Sequence, residues 1–235
     1  MGLRTRTKVI LGIATGVVVI GAAAAIAGPA IYADTVNGQA AAAPSISASP
    51  SGATGGSGTL STTQADGTWT SRDTSFAGYR VHEVLQGNDV NVVGRTKDVT
   101  GTAVVDGGSL TKATVTVQVA KISTPESARD AYFRDTALQT AKFPTATFTL
   151  TKPVDVTEAL DGTAQDLTLT GTMDLHGVER PVTVAAQIAV SGQDTVQVVG
   201  SVPITFADYG VEAPSLGFVT VDGKGSVEFS LDLGK

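Results

Sequence analysis

The chain has no cysteine and only two histidines, His82 and His176, in 235 residues. Disulfide scaffolds, thiol nucleophiles, zinc ribbons and iron–sulfur clusters are thereby excluded, and so is any site built from several histidines. No stretch is strongly basic: sixteen Lys and Arg face 22 Asp and Glu, for a formal charge of −6. Nucleic-acid phosphates call for clustered cations, so that class of partner is excluded too. Aromatics are scarce at 5%. Thr, Val, Ala and Gly are plentiful, and the length suits one domain with appendages.

One appendage is N-terminal. Arg4, Arg6 and Lys8 precede an uncharged run from Val9 to Ala33. At ~1.5 Å per residue, Val9–Ala27 alone covers close to one hydrocarbon thickness of ~30 Å. Two readings fit. An uncleaved transmembrane anchor accounts for the length of the run; a signal peptide accounts for the small residues Ala25-Ile26-Ala27 before Gly28-Pro29. By the positive-inside rule the three cations stay cytoplasmic in either case. The folded part is then expected outside the cell membrane, single-pass if anchored and secreted if cut. Residues 34–66, rich in Ala, Ser, Pro, Gly and Thr without apolar periodicity, are expected to form a disordered linker with a reach of ~30 Å.

Residues 67–235 form the expected domain. Setting aside Arg4, Arg6, Lys8, Asp34 and Asp66 leaves thirteen Lys and Arg against twenty Asp and Glu. Its dominant signal is period two, the mark of strands with one buried face. Ala113, Val115, Val117 and Val119 alternate with Thr114, Thr116 and Gln118; Ala146, Phe148 and Leu150 alternate with threonines. The same alternation carries Leu167, Leu169 and Met173, then Val182, Val184 and Ile188, then Val196, Val198 and Val202, and finally Val227, Phe229 and Leu231. Two earlier strands are expected near 76–84 and 99–106, for about eight in all. Asp106-Gly107-Gly108, His176-Gly177 and Ser191-Gly192 separate strands by a few residues, which fits antiparallel hairpins and not parallel crossovers.

One helix is expected, N-capped by Thr124 with Pro125 and Glu126 in its first turn, running to about Thr136 or Leu138. Such a pattern fits a closed sheet or a two-layer sandwich. Small inward residues leave room in a closed sheet for one ligand, whereas in a sandwich they are ordinary core.

Catalytic chemistry finds little footing. His176 reads as a hairpin residue among Asp174, Glu179 and Arg180, which suit surface ion pairs, and His82 as a half-exposed strand residue beside Glu83. Glu126–Arg129 and Asp130–Arg134 have helical pairing spacing. Gly94 and Gly101 suit strand bends. Neither a nucleophile elbow nor a phosphate loop is present, and no cofactor is implied. A hydrolase or oxidoreductase using His176 is the remaining enzymatic alternative.

Several stretches resemble the YceI family, the lipid- or polyisoprenoid-binding domains of bacterial envelopes. GTWTSRDTSFAGYRVHE matches its opening through Ser75, Phe76, Gly78, Tyr79 and Val81, and VVGRTKDVTGTAVV matches its second block. The most specific stretch is ISTPESARDAYFRDTALQTAKFPTATFTL, through Thr124, Arg129, Asp130, Phe133, Phe143, Pro144, Ala146 and Phe148. LTLTGTMDLHGVERPVTV and ITFADYGVEAPSLGFVTVDGKGSVEFSLDL complete the likeness, which covers 67–233. Thr74 departs from it, where many members carry His.

The resemblance implies an all-β, antiparallel, lipocalin-like barrel whose apolar lumen holds an isoprenoid or quinone-like lipid without catalysis. The lumen contacts it implies are Tyr79, Val81, Val115, Val117, Phe148, Leu169, Met173, Val184, Ile188, Val198 and Phe229, with Tyr132 and Phe133 at the mouth. The rival reading is an envelope interaction or structural module with a packed core.

Overall fold

The structure is a computed structural model and describes residues 28–46, 58–192, 194–215 and 217–235. Of the apolar run expected to form an anchor or signal, residues 9–27 lie outside the described residues and residues 28–33 lie within them. Among the described residues, no helix is long and apolar enough to cross a membrane.

Eleven strands make one antiparallel sheet: β1 (Gly67–Ser71), β2 (Phe76–Leu85), β3 (Asn88–Thr96), β4 (Val99–Asp106), β5 (Ser109–Gln118), β6 (Thr145–Leu150), β7 (Val154–Asp155), β8 (Gln165–Leu175), β9 (Val178–Gly192), β10 (Thr195–Thr205) and β11 (Val219–Gly234). The sheet closes on itself. β11 pairs with β10 along one side; on the other its first part pairs with β2, through Leu85↔Val219 to Phe76↔Ser230, and its end with β1, through Thr70↔Gly234. β3 and β4 continue the ring beside β2 and β1, and β6 and β7 both flank β5. Eleven strands therefore occupy eight positions around a barrel: the closed sheet is the one the resemblance implies, and the count exceeds the eight strands read from the alternation by β1, β3 and β7.

The hairpins follow from left-handed turn residues. Gln86-Gly87, Gly107-Gly108 and His176-Gly177 each have positive φ at both central positions, the twist a two-residue hairpin needs. Alternation then sends Val, Leu and Met inward. Three aromatic rings lie across glycines: a Cβ added to Gly94 would come within 2.6 Å of the Tyr79 ring, one on Gly200 within 2.6 Å of Phe229, and one on Gly171 within 2.5 Å of Phe148. Gly94, expected at a strand bend, instead makes room for the tyrosine opposite it in register.

One end of the barrel is a floor. Ser61 caps the short helix α2 (Thr62–Ala65) in a capping box, Trp69 Nε1 donates to the Ala65 carbonyl at 2.8 Å, and Leu60 N–H donates to Leu160 at 2.8 Å. The other end opens, because β3 is a free edge and the wall between it and β6 is made of turns. A 3₁₀ turn (Val119–Lys121), α3 (Ser127–Tyr132) and a π turn (Phe133–Ala137) fill that gap. Thr124 is not the N-cap of α3. Its N–H and hydroxyl donate to Asp130 at 2.9 and 2.8 Å, and Glu126 takes the cap position without a side-chain bond. Asp130 is thereby buried and satisfied, and is not free to pair with Arg134.

The expected linker at 34–66 is ordered at both of its described ends. Residues 28–39 are helical (α1), and residues 62–65 are α2. Ala33 of α1 is buried against Val81, Val90 and Val92. Asn37 meets the free edge of β3 with both halves of its amide: Nδ2 donates to Asp89 O at 2.9 Å, and Oδ1 accepts from Asn91 N–H at 2.8 Å. The chain then passes over the outer face, where the Arg80 and Arg95 guanidiniums donate to Ala41 O and Ala42 O. Arg80 also holds the buried Glu228 at 2.5 Å.

Glycine size is a packing requirement here. Gly171→Ala forces a methyl into the Thr149 carbonyl and the Phe148 ring, and its expected cost is about 1–3 kcal/mol. At Gly101 the nearest atom is the Ser71 Cβ at 3.6 Å, so Gly101→Ala is expected to stay within about 0.5 kcal/mol. Chemical denaturation of the two variants checks the contrast.

Candidate functional site

The barrel is hollow. An inner chamber of about 140 Å³ lies above the floor, and an outer chamber of about 650 Å³ lies at the open end. Ala77, Val117, Ala146 and Val227 line both, so these four side chains stand at the waist between the chambers. For scale, a cavity of roughly 150 Å³ holds one benzene ring, whereas small-molecule pockets run from about 300 to 1,000 Å³.

Each lumen residue named from the sequence lines a chamber. Val115, Phe148, Leu169, Met173, Val184, Ile188, Val198 and Phe229 surround the inner one. Tyr79, Val81, Tyr132 and Phe133 surround the outer one, and Val117 stands at the waist. What brings them together is register. On β2, Ala77, Tyr79, Val81 and Glu83 are on one face, opposite Val90, Val92 and Gly94 of β3.

The same register turns Glu83 inward, and this is the functional feature that sequence reasoning missed. Its carboxylate is 7% exposed and accepts from Arg129 of α3 at 2.8 Å. Burial works against the Arg129 charge, but Glu83 and the neighbouring Tyr32 of α1 outweigh it and raise its pKa. Arg129 thus pairs across the mouth and not with Glu126 along its own helix.

Tyr79 stacks on Phe133 with ring centroids 4.8 Å apart, and burial pushes its phenol well above the ordinary value of 10.0. α1, residues 211–215 and 217–218, and the 3₁₀ turn Phe206–Tyr209 complete the rim through Tyr32, Val211, Phe218 and Phe206. Phe218 of this rim is 56% exposed, and Ile31, beside Tyr32 in α1, is 64% exposed. The signal for Glu83 was present as a charged residue in phase with an apolar alternation; nothing local pointed to Tyr32.

Among the described residues, no carboxylate orients His176. Its Nδ1 pairs with Tyr209 O at 3.0 Å, and its ring meets Phe143 edge-on at 4.6 Å. Arg180, expected in a surface ion pair, donates to the Asp208 carbonyl at 3.1 Å. His82 is half-exposed on the outer face, between Asp89 at 3.1 Å and Asp222 at 3.2 Å. These contacts tie turns and strands together outside the chambers.

A closed antiparallel barrel around an apolar, two-chambered interior defines the lipocalin-like class of architecture, in which a ring of about eight strands leaves space for one small ligand. A family model described as "YceI-like domain" matches residues 69–233. The chain belongs to the YceI family. A "UPF0312 protein" of Shewanella denitrificans is 33% identical over 129 residues, which are 52% of this chain and 64% of that protein. "Protein YceI" of Escherichia coli is 35% identical over 104 residues, 43% of this chain and 51% of the other. The chain thus spans between half and two thirds of the lengths of these relatives.

Two solved structures share the fold at low identity. A polyisoprenoid binding domain from Saccharophagus degradans, implicated in plant cell wall breakdown, superposes with a TM-score of 0.57 at 20% identity, covering 71% of this chain and 97% of that one. BcnA of Burkholderia cenocepacia superposes with a TM-score of 0.52 at 19% identity, covering 66% and 95%.

Two predictions come from the mouth. Below about pH 10 the Tyr79 phenol is neutral in the folded and the unfolded chain alike. Above it the unfolded chain loses this proton while the folded chain keeps it, so stability falls as pH rises. Tyr79→Phe is expected to remove that part of the loss, read from denaturation curves between about pH 8 and about pH 11. Truncating one partner of the buried ion pair, as in Glu83→Ala, strands the other charge. It is expected to cost about 3 kcal/mol and to leave the chain less stable than the double variant Glu83→Leu/Arg129→Met. Equal stability of the two would show the pair to be effectively solvated.

Proposed function

We propose that this chain binds an isoprenoid or a similar long apolar lipid inside the barrel, without catalysis, at the outer surface of the cell membrane, for storage or transfer. The observation that carries this reading is the pair of apolar chambers with only Ala and Val side chains at the waist between them. A packed structural module has no need of such a void. The family membership and the fold shared with a polyisoprenoid binding domain support the same ligand class.

The driving force is burial. Each CH₂ group withdrawn from water is worth about 0.8 kcal/mol, so one five-carbon prenyl unit is worth roughly 3–4 kcal/mol before ordering costs. The outer chamber takes the head and first units, and the remaining chain passes the waist into the narrower inner chamber. The apolar walls hold the lipid by shape and burial, and it leaves by the way it entered.

In this reading the apolar run Val9–Ala27 is the membrane anchor, and α1 carries the chain from it straight onto the rim. Because α1 docks on β3, the mouth sits close to the anchor instead of at the end of a long tether. The exposed Ile31 and Phe218 then face the lipid surface from which the ligand comes. After alkaline carbonate washing the chain is expected to stay with the membranes. Release of a chain beginning near Gly28 would identify a cleaved signal in place of an anchor.

Organic extraction of the purified protein followed by mass spectrometry is expected to yield a prenyl lipid. Val117→Trp places a large ring at the waist. It is expected to weaken binding of a forty-carbon prenol about tenfold or more while sparing a ten-carbon one, which the outer chamber holds alone. Equal binding of both lengths by the variant and the native chain would refute threading through the waist.

A further inference from the structure

The chemistry of the mouth specifies what the polar end of such a lipid can be. Five charged residues line the outer chamber: Glu83, Glu126 and Glu212 against Arg80 and Arg129. Both cations are already paired. Arg80 is turned to the outer face, where Glu228 and the Ala41 carbonyl hold it. Arg129 is committed to Glu83 at 2.8 Å, with the Glu83 side chain 7% exposed. Among the described residues, no lysine or histidine lines this chamber.

A phosphate or diphosphate entering here would lose its water and meet more carboxylates than guanidiniums, with both guanidiniums already neutralised. An uncharged head fares differently. The Tyr79 hydroxyl lies at the same level, beside the ion pair, and makes no hydrogen bond among the described residues; burial keeps it protonated and able to donate. Phe133, stacked on the Tyr79 ring, offers an aromatic wall next to that donor.

We infer that the outer chamber selects lipids whose head is uncharged and accepts a hydrogen bond, a hydroxyl or a carbonyl, and rejects the phosphorylated forms. Glu83 is the selecting residue: it contacts the head region and cancels the one inward guanidinium that could hold a phosphate. This inference rests on the lipid-binding reading above and extends it to the head group. It makes Tyr79 the donor to the head and α1, through Tyr32 beside Arg129, part of the site.

The test is a competition on the full chain in detergent micelles, with geranylgeraniol and geranylgeranyl monophosphate in equal amounts and the bound fraction read by mass spectrometry. The alcohol is expected to be enriched about tenfold or more over the phosphate. Glu83→Gln keeps the hydrogen-bonding shape while unmasking Arg129, and is expected to shift the ratio at least about tenfold toward the phosphate. Tyr79→Phe is expected to weaken alcohol binding several-fold and leave phosphate binding unchanged.

Equal or preferential binding of the phosphate by the native chain overturns the inference, as does an unchanged ratio in a folded Glu83→Gln variant. Should that variant not fold, the native ratio and Tyr79→Phe still decide. Binding of neither probe, nor of any prenol, by the native chain overturns the lipid reading itself, an outcome distinct from binding without selectivity.

Discussion

Closure along β11 is the constraint on which the rest of the molecule depends. This one strand pairs with β10 on one side and with β2 and then β1 on the other, so the sheet is closed at β11 and its open margin is β3. With the backbone satisfied in the wall, the interior need not be filled to hold the strands together. The hydrophobic side chains then line a space instead of meeting one another across it. Glycines opposite or diagonal to Tyr79, Phe148 and Phe229 complete the device by drawing the bulky rings against the wall.

A hollow interior makes each polar group facing it consequential, since no water-rich surface is near to soften its charge. Glu83 and Arg129 come from parts of the chain 46 residues apart, on β2 and α3, and meet at the level where an entering ligand would end. α3 is short and followed by a π turn, and it owes its position to neighbours: Asp130 ties it back to Thr124, and Phe133 stacks on Tyr79. The chemistry of the mouth is therefore set by tertiary contacts of a segment with little helical stability of its own.

That division explains what the amino-acid order revealed. β8, residues 113–117 of β5 and residues 225–233 of β11 alternate strictly, so their inward faces were legible, and each residue picked from them lines a chamber. β3 was not read, because Asn88-Asp89 open it, Val92 and Val93 break its alternation, and Gln86 is an unusual first residue for its turn. Thr124 looked like a cap, yet a buried aspartate four residues into the helix region claimed it. The docking of α1 was illegible for another reason. Ala33 and Asn37 look like linker residues until Val90, Val92 and the β3 backbone are placed beside them.

The amide of Asn37 lies where the next strand of a sheet would lie, giving and taking one hydrogen bond each at the margin of β3. An uncovered margin of this kind recruits strands from other molecules. The stretch before the YceI-like domain is therefore also a guard against self-association. A recombinant fragment trimmed to residues 69–233 would present a bare β-margin beside an apolar opening, open to pairing with strands of other molecules.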